Sequence, residues 1–287
     1  MTASSPVTSE DIETWRGYIG RCEVRRQVLD IETLRRFAVA VEADLDVEQH
    51  MPPLGHWAFF LDVVPTCDLA PDGHSPRGGS LFPPITLPRR MFAGGSVRFL
   101  EALALGQPAD LTITVADVKH RSGKTGDLVF VEVERVLSQA NRSRIQERQT
   151  IVFRELGEAT PPVFPADQPL RAGAQLWRPQ TTDLFRFSAV TFNTHRIHYD
   201  LPYARDEEGY PGLIVHGPFT AVKLCGLVQA RDSGAPVEQF EFRATAPLFC
   251  GQAVQLAPGA GPGEVEAMRC DGAIAMSARA SFQGSHG

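Results

Sequence analysis

The sequence predicts an α+β fold of two fused modules, each an antiparallel sheet wrapped about one long helix. Three observations carry this reading: an internal repeat, short apolar stretches bounded by glycine turns, and one helix-length apolar run in the second half. Residues 97–111 lie on residues 242–256 without a gap, so that Arg98 and Arg243, Leu103 and Leu248, Gly106 and Gly251, Gln107 and Gln252, and Leu111 and Leu256 coincide. The same offset sets residues 129–133 on residues 274–278. Both blocks read as antiparallel strands, and a register that holds across two blocks favours duplication over chance.

In chain order, residues 1–10 read as a flexible N-terminus, 11–157 as the first module, 158–175 as a linker and 176–287 as the second module. In the first module Asp30 can cap a helix in which Leu34, Phe37, Ala38, Val41 and Leu45 recur at helical spacing. The stretch from Val64 to Gly95 is rich in proline and glycine and has no clear period. It exceeds the roughly 12 to 15 residues usual for a structureless loop in a compact domain, so it reads either as a lid over a pocket or as an irregular cover for apolar surface. Residues 157–169 have the proline-rich composition of an extended linker. Residues 218–230 are apolar nearly all round, as a helix buried in the curl of a sheet should be.

Composition narrows the function classes. A chain of 287 residues with 43% hydrophobic content can bury a core as one large domain or two ordinary ones. A net charge of -6 argues against a nucleic-acid surface, which would be basic. Five cysteines, an odd number without a C-x-x-C pair, read as thiols in a reducing cytosol. The start of the chain lacks a basic patch followed by an apolar stretch, and no apolar run approaches the roughly 18 residues of a membrane span. The expectation is a soluble, cytoplasmic protein with neither a nucleic-acid nor a membrane partner; a homo-oligomer is left open.

The chemistry concentrates in two motifs. Residues 187–200 read Phe-Ser-Ala-Val-Thr-Phe-Asn-Thr-His-Arg-Ile-His-Tyr-Asp, and residues 212–221 read Gly-Leu-Ile-Val-His-Gly-Pro-Phe-Thr-Ala. His198 titrates near neutrality, so it can take a proton from water and return one. Gly217 stands just before the apolar helix, where an unpaired N–H and the helix dipole can meet an oxyanion, and its missing Cβ allows close approach. By themselves His195, His198 and His216 read as structural histidines bonded to backbone carbonyls. A metal cluster of the three lacks both the helical i, i+4 pair and an acidic partner, so no metal is expected.

Together these motifs resemble the signature of the (R)-specific enoyl-CoA hydratases, the MaoC-like hot-dog proteins, which read Gly-Asp-x-Asn-Pro-x-His followed by an apolar run ending in His-Gly. The likeness is strongest to a two-module branch of methylfumaryl-, mesaconyl- and itaconyl-CoA hydratases and mitochondrial hydroxyacyl-thioester dehydratases. Residues 83–95 also resemble a Pro-Pro-x-x-x-Pro-Arg-Arg-Met-x-Ala-Gly-Gly stretch of that branch. The resemblance implies a double hot-dog fold and reversible hydration of an α,β-unsaturated acyl-CoA, most simply a short branched dicarboxylyl ester. Coenzyme A then enters as part of the substrate, without a separate cofactor. It implies His198 as the base, Gly217 as an oxyanion donor, and Asn193 and His195 where the wider family has its catalytic Asp and its Asn. Asn193 cannot exchange a proton but can hold the water, so proton traffic falls on His198 alone or is shared with His195.

The first module lacks an equivalent site. Laying residues 37–48 over 187–198 puts Ala43, Leu45 and Glu48 at the positions of Asn193, His195 and His198, and residues 53–57 replace the run ending in His-Gly. One active site per chain is expected, in the second module, with the first shaping the acyl pocket. Arg196 and His195 are the nearest candidates to bind a second carboxylate, and His216 stands beside the substrate through its place next to Gly217. Arg89 and Arg90 in the long segment, or Lys119, Arg121 and Lys124 in a basic hairpin turn, are candidates for the phosphates of coenzyme A. The competing readings are a (3R)-hydroxyacyl-ACP dehydratase and a non-catalytic acyl-CoA-binding subunit.

Overall fold

The computed structural model describes residues 6–43, 46–48, 51–52, 54–123, 126–231 and 236–283. Ten strands form one antiparallel sheet. In the first half these are β1 (Cys22–Val28), β2 (Arg89–Phe99), β3 (Pro108–Gly123), β4 (Gly126–Gln139) and β5 (Arg142–Arg154). The second half supplies β6 (Gln175–Trp177), β7 (Val237–Ala244), β8 (Val254–Pro258), β9 (Glu264–Met268) and β10 (Ile274–Phe282). The order β1-β3-β4-β5-β2-β7-β10-β9-β8-β6 is a mirror repeat about the β2–β7 pair, in which Gly94 to Arg98 register against Arg243 to Gln239. This is the double hot-dog arrangement, and the halves meet in the middle of a continuous sheet. Along β3 buried and part-exposed residues alternate, the period of two that one covered face requires.

The repeat is visible at its first block. Residues 97–111 and 242–256 each leave a central strand, turn at a left-handed glycine (Gly106 φ 73°, Gly251 φ 81°) and enter the next strand. The second block is corrected by the strand order. Residues 129–133 lie on β4, whose counterpart is β9, whereas residues 274–278 lie on β10, the counterpart of β5. The constant offset fails because β8 and β9 have 5 residues each where β3 and β4 have 16 and 14.

The helices differ between the halves. α1 (Ser9–Arg16) caps the first half. α2 (Ile31–Val41) begins at Asp30, whose carboxylate accepts from the Thr33 N–H at 2.8 Å, and buries Leu34, Phe37, Ala38 and Val41. Leu45, the last member of the expected stripe, lies outside the described residues. α2 packs on α3 (Thr181–Thr191) through Phe37 and Phe187, with ring centroids 6.3 Å apart. After α4 (Leu201–Asp206), α5 (Gly217–Arg231) fills the curl of β7 to β10, burying Phe219, Val222, Leu224, Cys225 and Leu227. In the first half the matching position holds only a 3-10 turn, Gly55–Ala58, followed by the irregular chain to β2. Trp57, Phe59, Phe60, Leu81, Ile85 and Leu87 fill that half of the core instead. Among the described residues no helix is long and apolar enough to cross a membrane.

Candidate active site

A cavity of about 490 Å³ lies where the start of α5 meets the loop after α3 and the strand β2 of the other half. His198, Asn193, His195 and Gly217 all line it, so four residues singled out from the sequence share one space. His198 is buried, and its Nδ1 bonds to the Ile214 carbonyl at 2.8 Å. A carbonyl only accepts, so Nδ1 carries the proton and Nε2 keeps its lone pair. That lone pair has no protein partner among the described residues. Burial, then the neighbouring His216 and His195 rings, hold the His198 pKa well below its ordinary value and keep the ring neutral. His216 stacks on His198 with centroids 3.6 Å apart, and its own pKa is pushed down to about 3 by burial. It does not line the cavity; its Nε2 is 2.8 Å from the Ser188 hydroxyl, which makes it a support for His198.

Asn193 accepts the His195 backbone N–H on Oδ1 at 2.9 Å. Its remaining donor is the amide NH₂, so it can present hydrogens to a water oxygen but has little capacity left to accept. Gly217 opens α5, with Pro218 next to it lacking an N–H. A Cβ on Gly217 would meet Phe92 at 3.6 Å, an ordinary contact, so the protein's own packing does not demand glycine here.

The long segment reaches this site. The Asp72 carbonyl accepts the Arg196 N–H at 2.9 Å, and the Thr194 hydroxyl donates to the Gly73 carbonyl. Gly73 has φ 87°, and a side chain there would collide with the Thr194 carbonyl. His74 lies against His195 with ring centroids 4.0 Å apart and planes tilted by 39°, and bonds through Nδ1 to Asp72 at 3.1 Å. Burial opposes charge on Asp72, but the side-chain and backbone hydrogen bonds and the charge of His74, with His195, together outweigh it and hold the carboxyl below the usual range. Asp72, His74 and His195 bring ligand atoms within 4.8 Å of one another, a spacing a metal ion can use; here Asp72 instead engages His74 and Arg77. The segment therefore covers the core with Leu81, Ile85 and Leu87 and also walls the site.

Other expectations are corrected. Arg89 and Arg90 are on β2, not in a loop. Arg89 is buried against Glu208, with Nε 3.1 Å from Oε2, which leaves it no freedom to reach a phosphate. Arg196 is paired with Asp200 at 2.7 Å, lies over the Tyr203 ring and is not part of the cavity wall. Lys119 pairs with Asp117 and Arg121 lies over Phe130, neither of them at the cavity; Lys124 lies outside the described residues. Arg154 was missed: it lines both the cavity and a groove on the sheet that also carries Arg148, Arg243 and Arg279. Asp72, His74 and Glu208 were missed as well. The only signal was the unusual length of the segment that carries the first two.

In the first half, His56 and Trp57 stand at the positions matched to His216 and Gly217. Trp57 donates to Glu147 at 2.8 Å, with His56 Nε2 3.3 Å from the same carboxylate. Burial works against that charge, yet His56 and Arg135 draw the Glu147 carboxyl down to about 2. The place of a cavity is taken by an indole and a closed polar cluster.

A neutral histidine and the start of a buried helix line one cavity within a double hot-dog, the combination expected of the acyl-thioester hydratase class. The profile of the family "Hydroxyacyl-thioester dehydratase type 2" matches residues 53–250. The chain is 42% identical over 281 residues to the mesaconyl-C(4)-CoA hydratase of Chloroflexus aurantiacus, covering 94% of this chain and 98% of that one. It therefore belongs to the hydroxyacyl-thioester dehydratase type 2 family. Among solved structures, HtdX of Mycobacterium tuberculosis superposes with a TM-score of 0.65 at 17% identity, covering 91% of this chain and 100% of that one. A second M. tuberculosis protein described as having a double hot-dog fold superposes at 0.56 and 13% identity, over 92% of this chain and 96% of its own.

Proposed function

We infer that the protein adds water reversibly to an α,β-unsaturated acyl-CoA, with a short branched dicarboxylyl thioester of the mesaconyl-C4 type as substrate. The observation that carries the chemistry is His198, which lines the cavity with its tautomer set by the Ile214 carbonyl and its Nε2 without a protein partner among the described residues. Identity to the Chloroflexus hydratase along nearly the whole chain supports the substrate. In the forward direction His198 Nε2 takes a proton from water as its oxygen bonds to the β-carbon. The electron pair of the double bond moves toward the thioester oxygen, where the Gly217 N–H and the start of α5 stabilise the enolate. Burial makes the resulting imidazolium a strong acid, which returns the proton to the α-carbon. The Asn193 amide holds the water oxygen. In this reading the second module carries the chemistry, the first closes the pocket, and Arg154 lies toward the coenzyme A end.

The chemistry as written uses no resident cofactor or metal, and a cytoplasmic location accords with free thiols at all five cysteines. The test is to mix purified protein with crotonyl-CoA, mesaconyl-C4-CoA and itaconyl-CoA and follow the enoyl-thioester absorbance. Turnover is expected to be fastest with a dicarboxylyl ester and unchanged by EDTA. No turnover on any ester would reject the hydratase reading, and a preference for crotonyl-CoA or longer linear chains would reject the dicarboxylyl substrate.

A further inference from the structure

We propose that Arg90, supplied by the first half, is the cation that receives the free carboxylate of the acyl chain and so sets the preference for dicarboxylyl thioesters. This rests on the hydratase reading above and names the residue that gives the site its substrate class. Arg90 lines the same cavity as His198, Asn193 and Gly217. Its guanidinium lies over the Phe82 ring, 5.5 Å from the centroid, and has no hydrogen-bond or ion-pair partner among the described residues. Arg89 lines the cavity as well but is already spent on Glu208. Arg90 is half-buried at the cavity wall, and this desolvation together with the like charge of Arg77 pushes its pKa below the ordinary arginine value; Asp72 and Asp62 offset this only in part. Its guanidinium N–H donors have no protein acceptor among the described residues. A carboxylate can accept two of them in the planar fork geometry.

Substrate chemistry agrees with this place. In a mesaconyl-C4 thioester the free carboxylate is bonded to the carbon that water attacks. Its cation must therefore share the cavity with the base. Arg154 differs: it donates to the Glu155 carbonyl at 3.2 Å and lines the outer groove as well, which suits the coenzyme A portion common to all substrates.

The experiment compares kcat/KM for mesaconyl-C4-CoA and crotonyl-CoA in wild type, Arg90→Gln, Arg90→Lys and Arg154→Gln. Arg90→Gln is expected to lower the mesaconyl-to-crotonyl ratio about ten- to a hundredfold while crotonyl-CoA turnover persists, the size of one lost charge-assisted interaction. Arg90→Lys, which keeps the charge and loses the fork, should fall between, and Arg154→Gln should leave the ratio unchanged. A folded Arg90→Gln with the wild-type ratio overturns the assignment, and so does equal loss on both substrates. If Arg90→Gln does not fold, an unchanged ratio in Arg90→Lys overturns it instead. A wild-type enzyme that prefers crotonyl-CoA would reject the substrate reading itself, an outcome seen before any variant is made.

Discussion

His198 is a base because of what surrounds it. The Ile214 carbonyl sets its tautomer, His216 stacks beneath it, and burial keeps the ring neutral until a proton arrives from substrate water. His198→Ala should lower kcat roughly a hundredfold to ten-thousandfold, the usual worth of general acid–base catalysis, with an unchanged circular dichroism spectrum; near wild-type turnover would remove it from the mechanism. Asn193 divides two roles. Asn193→Asp keeps an acceptor for the His195 N–H and should retain substantial activity, whereas Asn193→Ala should lose kcat more than KM. Indifference to the alanine change would show that water is held elsewhere. Gly217→Ala isolates the ligand's demand from the protein's, since its Cβ meets only an ordinary contact with Phe92. The melting temperature should hold while kcat/KM drops at least tenfold, and an active variant would remove the close approach at Gly217.

At the scale of elements, what the sequence displayed depended on whether the governing contacts were local. The α2 cap, the apolar α5 and the motif around His198 are written in neighbouring residues, and all three were legible. The second block of the repeat was misplaced because strands on one sheet share a period and look alike, while the shortened β8–β9 hairpin leaves no local mark. A central helix for the first half was also expected, yet large aromatics around Trp57 fill that space without helical spacing. The carboxylate-binding role fell to Arg196 by sequence proximity, but its partner four residues on, Asp200, was already in the motif and claims it. His74 and Arg90 arrive from more than a hundred residues away, and no spacing rule brings them to His198. The docking of the long segment can be tested through Gly73. Gly73→Ala must strain a positive φ and displace the Thr194 carbonyl, so it should cost about 1–3 kcal/mol in denaturant melts; kcat should fall as the His74–His195 contact loosens. Unaltered stability and turnover would mean that the segment covers the site without shaping it.

Over the whole molecule, three neutral histidines, His198 and His216 buried and His74 half-buried, make acid the vulnerable direction. His198, His216 and His74 all have folded pKa values below the ordinary 6.5. The unfolded chain therefore binds protons first as pH falls, so their contribution is complete above about pH 6.5 and declines below it. For His216 and His74, each held at about 3, the loss reaches roughly 1.4 kcal/mol apiece by pH 5.5. Melting temperatures taken from pH 7.5 to 5.5 should descend, and His74→Gln should flatten the slope; a pH-independent Tm would contradict the burial of these rings. The closed His56–Trp57–Glu147 cluster leaves room for one ligand per chain. Calorimetry with butyryl-CoA, which has no double bond to hydrate, should give a stoichiometry near one, and two sites would refute it.

The two halves that pair at β2–β7 belong to one chain, and this bears on heredity. In an assembly of two identical subunits, any codon change appears on both sides of the interface at once. Here the sides are encoded separately. Trp57 could close one crypt while Gly217 kept its counterpart open, and Arg90 could be retained on one side without an obligatory twin. Selection can therefore alter the wall of the pocket and its floor as independent characters.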